Sequence, residues 1–220
     1  MSPEVQRLRL TFAKKEEVKH IAHLDLMRLW ERALRRAEVP LARSQGYNPH
    51  PFLALAAPLP LGVTSQNELL DIILCEPMSP DLFLQRIRRQ LPPGIELLEV
   101  QEVGLKLRSL PSQVRYSEYR VTMETDRPLE EIEEGLRSFL SKESLPWQHL
   151  RNGEVRRYDL RALVEDLWLL EHRDGMIVLG MRLRADSLGS GRAEQVTAAL
   201  GFAQPPRAIH RTQLLLAQAQ

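Results

Sequence analysis

Residues 19–51 read KHIAHLDLMRLWERALRRAEVPLARSQGYNPHP, and this stretch organises the first half of the chain. Leu26, Trp30, Ala33, Leu34 and Ala37 recur at helical spacing and fall on one side of a wheel. The spacing predicts an amphipathic helix over 22–37, with Asp25 in its first turn, where the positive end of the helix dipole favours a carboxylate. Pro40 stops the helix. Beyond it, Ser44-Gln45-Gly46-Tyr47-Asn48 is dense in hydrogen-bonding groups, and His50 stands between Pro49 and Pro51, so 44–51 reads as a constrained loop.

Before this stretch, 5–12 alternates apolar and polar residues, the signature of a strand with one polar face. After it, 51–61 is apolar but broken by prolines, an irregular or edge strand. Gly62 is a turn and Ser65 and Glu68 open the next strand, whose compact part is 69–74; Ser79-Pro80 then opens a helix with proline at its first position, running to about residue 90. Pro92-Pro93-Gly94 ends it, and 95–103 is another strand. The element order is β-α-β-β-α-β, that of a ferredoxin-like unit.

The second half repeats that order without residue-level identity. Strands are predicted at 116–124, 164–171, 176–183 and 208–216, and helices at 128–140 and 191–200. Arg173-Asp174-Gly175 is a hairpin turn, and Gly201 ends the last helix. Residues 144–161, with Trp147 and the pair Arg156-Arg157, interrupt the repeat as an insertion. The expected fold is therefore α+β: two tandem ferredoxin-like units with antiparallel sheets, over 1–107 and 108–220, joined near 105–115.

Composition removes several function classes. Of 220 residues, 43% are hydrophobic and 27% charged, the balance of a globular protein with a real core. The net charge of +1 gives no whole-chain bias toward nucleic acid or membrane, so electrostatic recognition has to come from local patches. No apolar run approaches the roughly 20 residues that span a bilayer. Met1-Ser2-Pro3-Glu4 does not open a signal peptide, so a cytoplasmic location and no membrane partner are expected. Cys75 is the only cysteine, which rules out an internal disulfide and a cysteine-held iron–sulfur cluster. Its neighbours make it a thiol at least half-buried in a strand.

The candidate chemistry clusters in 19–51. Asp25, Arg28, Arg32, Arg35 and Arg36 share an arc opposite the apolar stripe. Arginines so placed could track phosphates with their forked donors, or could form a solvated face partnered by Glu31 and Glu38. His20, His23 and His50 have three readings: loop-orienting hydrogen bonds, a metal site, or general acid–base chemistry. The ligand set is incomplete, so no metal and no cofactor are expected. Gly46 suits a positive backbone dihedral or a close ligand approach, and Tyr47 either stacks on a base or caps the core. In the second half, Arg207, His210 and Arg211 make the last strand basic, and Arg156, Arg157 and Arg161 flank Tyr158, a mixture that suits single-stranded RNA and equally suits solvated strand faces. The acidic helix Glu130-Glu131-Glu133-Glu134 does not. The candidate surface for RNA or a protein partner is His20, His23, Asp25, Arg28, Arg32, Arg35, Arg36, Ser44, Gln45, Tyr47, Asn48, His50 and Arg211.

AHLDLMRLWERALRRAEVPLARSQGYNPHP, followed by APLPLGVTSQNELLDI, resembles the bacterial radical-SAM-linked, or radical-SAM-associated, proteins. The match is specific over 19–75 and thinner afterwards, chiefly at Tyr158-Asp159-Leu160-Arg161 and Arg211-Thr212. The resemblance implies a partner, a radical SAM protein of the B12-binding type, and an RNA context such as tRNA or rRNA; it implies no catalytic residues. Radical SAM chemistry needs three cluster cysteines, so this chain is not the radical enzyme. Gly46-Tyr47-Asn48-Pro49 with Phe52 bears a looser, fold-level likeness to the repeat-associated RNA-processing proteins of CRISPR systems. The expectation is a non-catalytic accessory module that binds RNA through the basic helix face and the 44–51 loop. A docking domain for the radical SAM partner is the first alternative, and a histidine-based metal site or RNA-processing enzyme the second.

Overall fold

The computed structural model describes residues 4–151 and 153–217. The chain divides into two compact units, one running up to Val114 and including the residues from Leu216, the other Arg115–Leu215.

In the first unit β1 (Gln6–Lys14) leads into α1 (His23–Arg36), β2 (Leu53–Leu55), β3 (Thr64–Leu74), α2 (Pro80–Ile87), β4 (Ile95–Val103) and the short α3 (Leu110–Gln113). The strands lie in the order β4-β1-β3-β2, every neighbouring pair antiparallel. Alternation sends Leu8, Leu10 and Phe12 of β1 and Leu70, Ile72 and Leu74 of β3 to one face, all at 0% exposure. The apolar stripe of α1 meets them there, with Trp30 edge-on to Phe12 at 5.0 Å between ring centres, and Phe83 and Ile87 of α2 complete the core.

Polar side chains of alternate residues on the same strands are organised just as tightly. Arg9 lies directly opposite Asp71 in the β1–β3 register. The Asp71 carboxylate accepts hydrogen bonds from Nε of Arg7 and Nε of Arg9, both at 2.8 Å. Arg7 also donates through Nη1 to the Leu107 carbonyl at 2.8 Å and through Nη2 to that of Arg108 at 3.1 Å. One carboxylate thus holds two strands, and one guanidinium holds the segment that follows β4.

β3 starts at Thr64, with Ser65 and Glu68 opening it ahead of the compact 69–74 stretch, and β2, expected within 51–61, is confined to three residues. α1 is stopped by backbone geometry before Pro40 is reached. Val39 N–H donates to the Leu34 carbonyl and Glu38 N–H to that of Arg35, a paired C-terminal cap with Glu38 at φ +53°. A residue with a side chain is strained there, and glycine is not. Glu38→Gly is expected to raise stability by about 0.5–1 kcal/mol, the left-handed strain outweighing glycine's greater freedom in the unfolded chain. A urea melt that shows destabilisation would contradict this account of the helix end.

The second unit contains β5 (Val114–Glu124), α4 (Leu129–Ser141), β6 (Pro146–Arg151), β7 (Glu154–Asp159), β8 (Val164–Arg173), β9 (Met176–Asp186), β10 (Gly189–Ser190), α5 (Ala193–Ala199) and β11 (Ala208–Leu216). Its sheet runs β8-β9-β5-β11, with β10 pairing the far end of β9. The pairings of β9 with β5, β8 and β10 are antiparallel. Val121, Met123, Ile132, Leu136, Phe139, Ile177, Leu179 and Met181 are buried. The interruption at 144–161 is a hairpin: β6 and β7 form a two-stranded sheet of their own. Asp159 fastens its base by accepting from the N–H groups of Leu145 and Arg161, and these bonds, Leu145 foremost, hold its carboxyl below the usual range. The fold is mixed α+β with mostly antiparallel sheets.

Gly180 has a steric reason. It lies opposite Trp168 in the β8–β9 register, and a Cβ added to it would sit 2.0 Å from the Trp168 ring. Gly180→Ala is therefore expected to cost about 1–3 kcal/mol by overpacking. Gly180→Ala combined with Trp168→Leu should recover much of that loss in thermal melts; equal loss in both variants would refute the steric cause.

Candidate functional site

The outward face of α1 carries the arc marked by the sequence. Asp25, Arg28, Arg32, Arg35 and Arg36 are all exposed, but they are not equivalent. Arg28 pairs with Asp25 one turn earlier, Nη1 to Oδ1 at 3.2 Å. Both side chains are more than half exposed, so water and salt screen the pair to well under about 1 kcal/mol. Arg36 donates through Nε to the Gln90 side chain at 3.1 Å and through Nη2 to the Gln90 carbonyl at 2.6 Å. It ties α1 to the turn after α2. The Arg32 and Arg35 side chains have no hydrogen-bond or ion-pair partner among the described residues.

These two side chains line a cleft of about 380 Å³ together with Glu31, Val39, Pro40, Leu41, Arg43 and Pro51. One wall is the helix; the other is the chain that returns after the helix cap. Around the end of α1 a second depression, of about 340 Å³, is lined by Arg36, Ala37, Glu38, Gln85, Arg86, Arg89 and Gln90. Arg86 reaches across to the Glu38 carbonyl at 3.3 Å. Arg43, Arg86 and Arg89 are absent from the candidates taken from the sequence. No period links them to α1, and only the fold gathers them there.

The 44–51 loop is closed by its own backbone. Ser44 N–H donates to the His50 carbonyl at 2.8 Å, and His50 N–H donates to Ser44 Oγ at 3.0 Å. Arg43 and Pro51 form an isolated β-bridge just outside, and Arg43 Nη1 donates to the Pro49 carbonyl at 3.3 Å. Residues 45–49 project from this staple, with Gly46 at φ +122° making the turn. Gln45, Asn48 and His50 are exposed, Ser44 is half-buried, and Tyr47 is fully exposed at 107%. Tyr47 therefore does not cap the core. His50 fixes the loop through its main chain, where the sequence had suggested its imidazole.

His23 is the first residue of α1, half-buried, with Nδ1 buried and without a hydrogen-bond partner. His20 is exposed before the helix, beside Gly62. Among the described residues no three of His, Cys, Asp or Glu are grouped to hold an ion. Arg211 needs correction: it is 1% exposed on β11, so its guanidinium is not on a surface that RNA or a partner could touch. Arg161 is likewise structural, its Nε and Nη2 donating to the Leu140 carbonyl at the end of α4. Arg156 pairs with Glu154 and Arg207 with Glu124.

Residues 7–192 match a bacterial family described as "Uncharacterized protein conserved in bacteria (DUF2344)". The chain belongs to this family. No curated protein matches the sequence. Among solved structures, it is similar to a chain of a Cbf5-Nop10-Gar1 complex, with a TM-score of 0.52 and 10% identity over 96% of this chain and 49% of that one. It is also similar to a chain of an H/ACA RNP bound to a substrate RNA containing 2′-deoxyuridine (TM-score 0.49, 10% identity, 96% and 48% covered). A chain of the archaeal box H/ACA sRNP Nop10-Cbf5 complex follows (TM-score 0.48, 11% identity, 97% and 49% covered). The chain spans about half the length of each. At such identities the likeness is one of fold. No helix among the described residues is long and apolar enough to cross a membrane.

Proposed function

We propose that this family member is a non-catalytic accessory module that binds RNA at the C-terminal end of α1, with the 44–51 loop beside it. The observation that carries the reading is the gathering of six arginines, Arg32, Arg35 and Arg43 in one cleft and Arg36, Arg86 and Arg89 in the next, against Glu31 and Glu38. The chain as a whole has a net charge of only +1, so this concentration is local. Guanidinium groups suit phosphate because their forked donors match its oxygens. Tyr47 adds a fully exposed ring on a stapled loop, the kind of platform on which an unpaired base stacks. The fold likeness does not identify a ligand; the arginines are what supports RNA.

The strand order β4-β1-β3-β2 of the first unit and β11-β5-β9-β8 of the second support reading both as ferredoxin-like, with the domain boundary at Val114. The resemblance over 19–75 supports a B12-type radical SAM partner, for which this chain would bind or position the RNA. The second reading is docking on that partner, favoured by the same exposed Tyr47, since tyrosine and arginine are enriched at protein interfaces too.

Binding of labelled single-stranded RNA across a salt series tests the main reading. Phosphate-led binding must weaken steeply with salt. Tyr47→Ala should lose about 1–3 kcal/mol of RNA affinity, roughly 5- to 150-fold, with an unchanged melting temperature. Flat salt dependence, together with co-purification of the radical SAM partner without RNA, would give the site to protein docking.

A further inference from the structure

We infer that the cleft between α1 and 39–51 receives a phosphomonoester end of an RNA strand, and not an internal phosphodiester; the inference rests on the RNA-binding reading of the same site. Three observations lead there. The first is shape. The cleft is concave, about 380 Å³, at the low end of the range for small-molecule sites. That admits one nucleotide of a strand and excludes a duplex, whose phosphates ride on a broad convex surface. The exposed arginines around the second depression, Arg86 and Arg89, suit such passing backbone contacts better.

The second is charge. The lining sets Arg32, Arg35 and Arg43 against Glu31, three cations to one carboxylate, leaving two positive charges in excess. An internal phosphodiester carries one negative charge; a phosphomonoester carries about 1.5 to 2 at neutral pH. The third is donor count. A diester offers two non-bridging oxygens and a terminal monoester three, so the forked donors of three guanidinium groups are better matched by the monoester. Arg43 is the member that makes the count three. Its Nη1 is held by the Pro49 carbonyl, which links the cleft to the loop that presents Tyr47. Val39, Pro40, Leu41 and Pro51 supply an apolar floor for the terminal ribose and base.

The test uses the full chain and one RNA sequence in three forms, with hydroxyl ends, a 5′-phosphate or a 3′-phosphate, with uridine monophosphate and inorganic phosphate as competitors. One phosphorylated form should bind about ten-fold tighter or more than the hydroxyl form, the scale of one added charge-assisted hydrogen bond. Arg32→Ala/Arg35→Ala/Arg43→Ala should abolish that difference. Arg35→Lys, which keeps the charge and the fold but loses the fork, should reduce it several-fold. Equal binding of all three RNAs overturns the inference while leaving RNA binding itself in place. Failure of every RNA to bind at low salt overturns both. Competition by uridine monophosphate or inorganic phosphate as effective as by phosphorylated RNA would assign the cleft to a small phosphorylated ligand and overturn the RNA-end assignment.

Discussion

Replacing Asp71 with alanine is expected to destabilise the first unit by about 3–5 kcal/mol, a large fraction of a typical domain's stability. Asp71 is 3% exposed and serves two guanidinium groups, one of them, Arg7, itself only 7% exposed at its side chain. Truncation leaves two cations with no carboxylate between them, and the buried one cannot recover its hydration. Arg7 would keep its bonds to the Leu107 and Arg108 carbonyls, so the cost is the missing carboxylate more than a collapse of the surrounding chain. Urea denaturation of Asp71→Ala measures it. The variant Arg7→Met/Arg9→Met/Asp71→Leu, which removes all the charges together, should recover most of the loss, because an apolar replacement of a buried ion network is often neutral. A loss under about 1 kcal/mol in Asp71→Ala would show that water reaches the network.

What the sequence makes legible follows the strength of its periodicity. α1 is readable because Leu26, Trp30, Ala33 and Leu34 recur at helical spacing and all four are buried. The start of β3 is only partly readable: Ser65 and Glu68 open the strand after the Gly62 turn, but both are polar and yet 1% and 2% exposed, so no apolar alternation marks where it begins. The hairpin of β6 and β7 escapes for the opposite reason. Leu150 and Val155 face each other across it at 72% and 54% exposure, so its apolar residues mark no core. Arg211 shows the limit for sites: a basic residue on a strand looks the same in sequence whether its face is wet or dry. The α1 arc could be drawn from a wheel. Arg43, Arg86 and Arg89 could not be added to it, since they come from a return segment and from the stretch around the end of α2.

The largest effect on binding is expected from Arg32→Ala/Arg35→Ala/Arg43→Ala, which should lower single-stranded RNA affinity by about 100-fold at low salt, some 2.7 kcal/mol. Each side chain is asked for about 1 kcal/mol, modest for a charge-assisted contact because Arg32, Arg35 and Arg43 are all exposed and screened. The second readout is the salt dependence. Each phosphate neutralised on a single strand contributes about 0.7 to the slope of log affinity against log salt, so losing the one phosphate that the three arginines share should flatten it by about 0.7. Folding should be little affected. The Arg32 and Arg35 side chains have no partner among the described residues, and Arg43 gives up one long bond to Pro49 while the Ser44–His50 staple remains. Arg137→Ala, on the acidic helix α4 and paired with Glu134, removes one equal charge from elsewhere and should change affinity less than about two-fold. If the triple variant loses affinity but keeps the full salt slope, the three arginines do not meet phosphate. The binding surface would then have to be sought away from the end of α1.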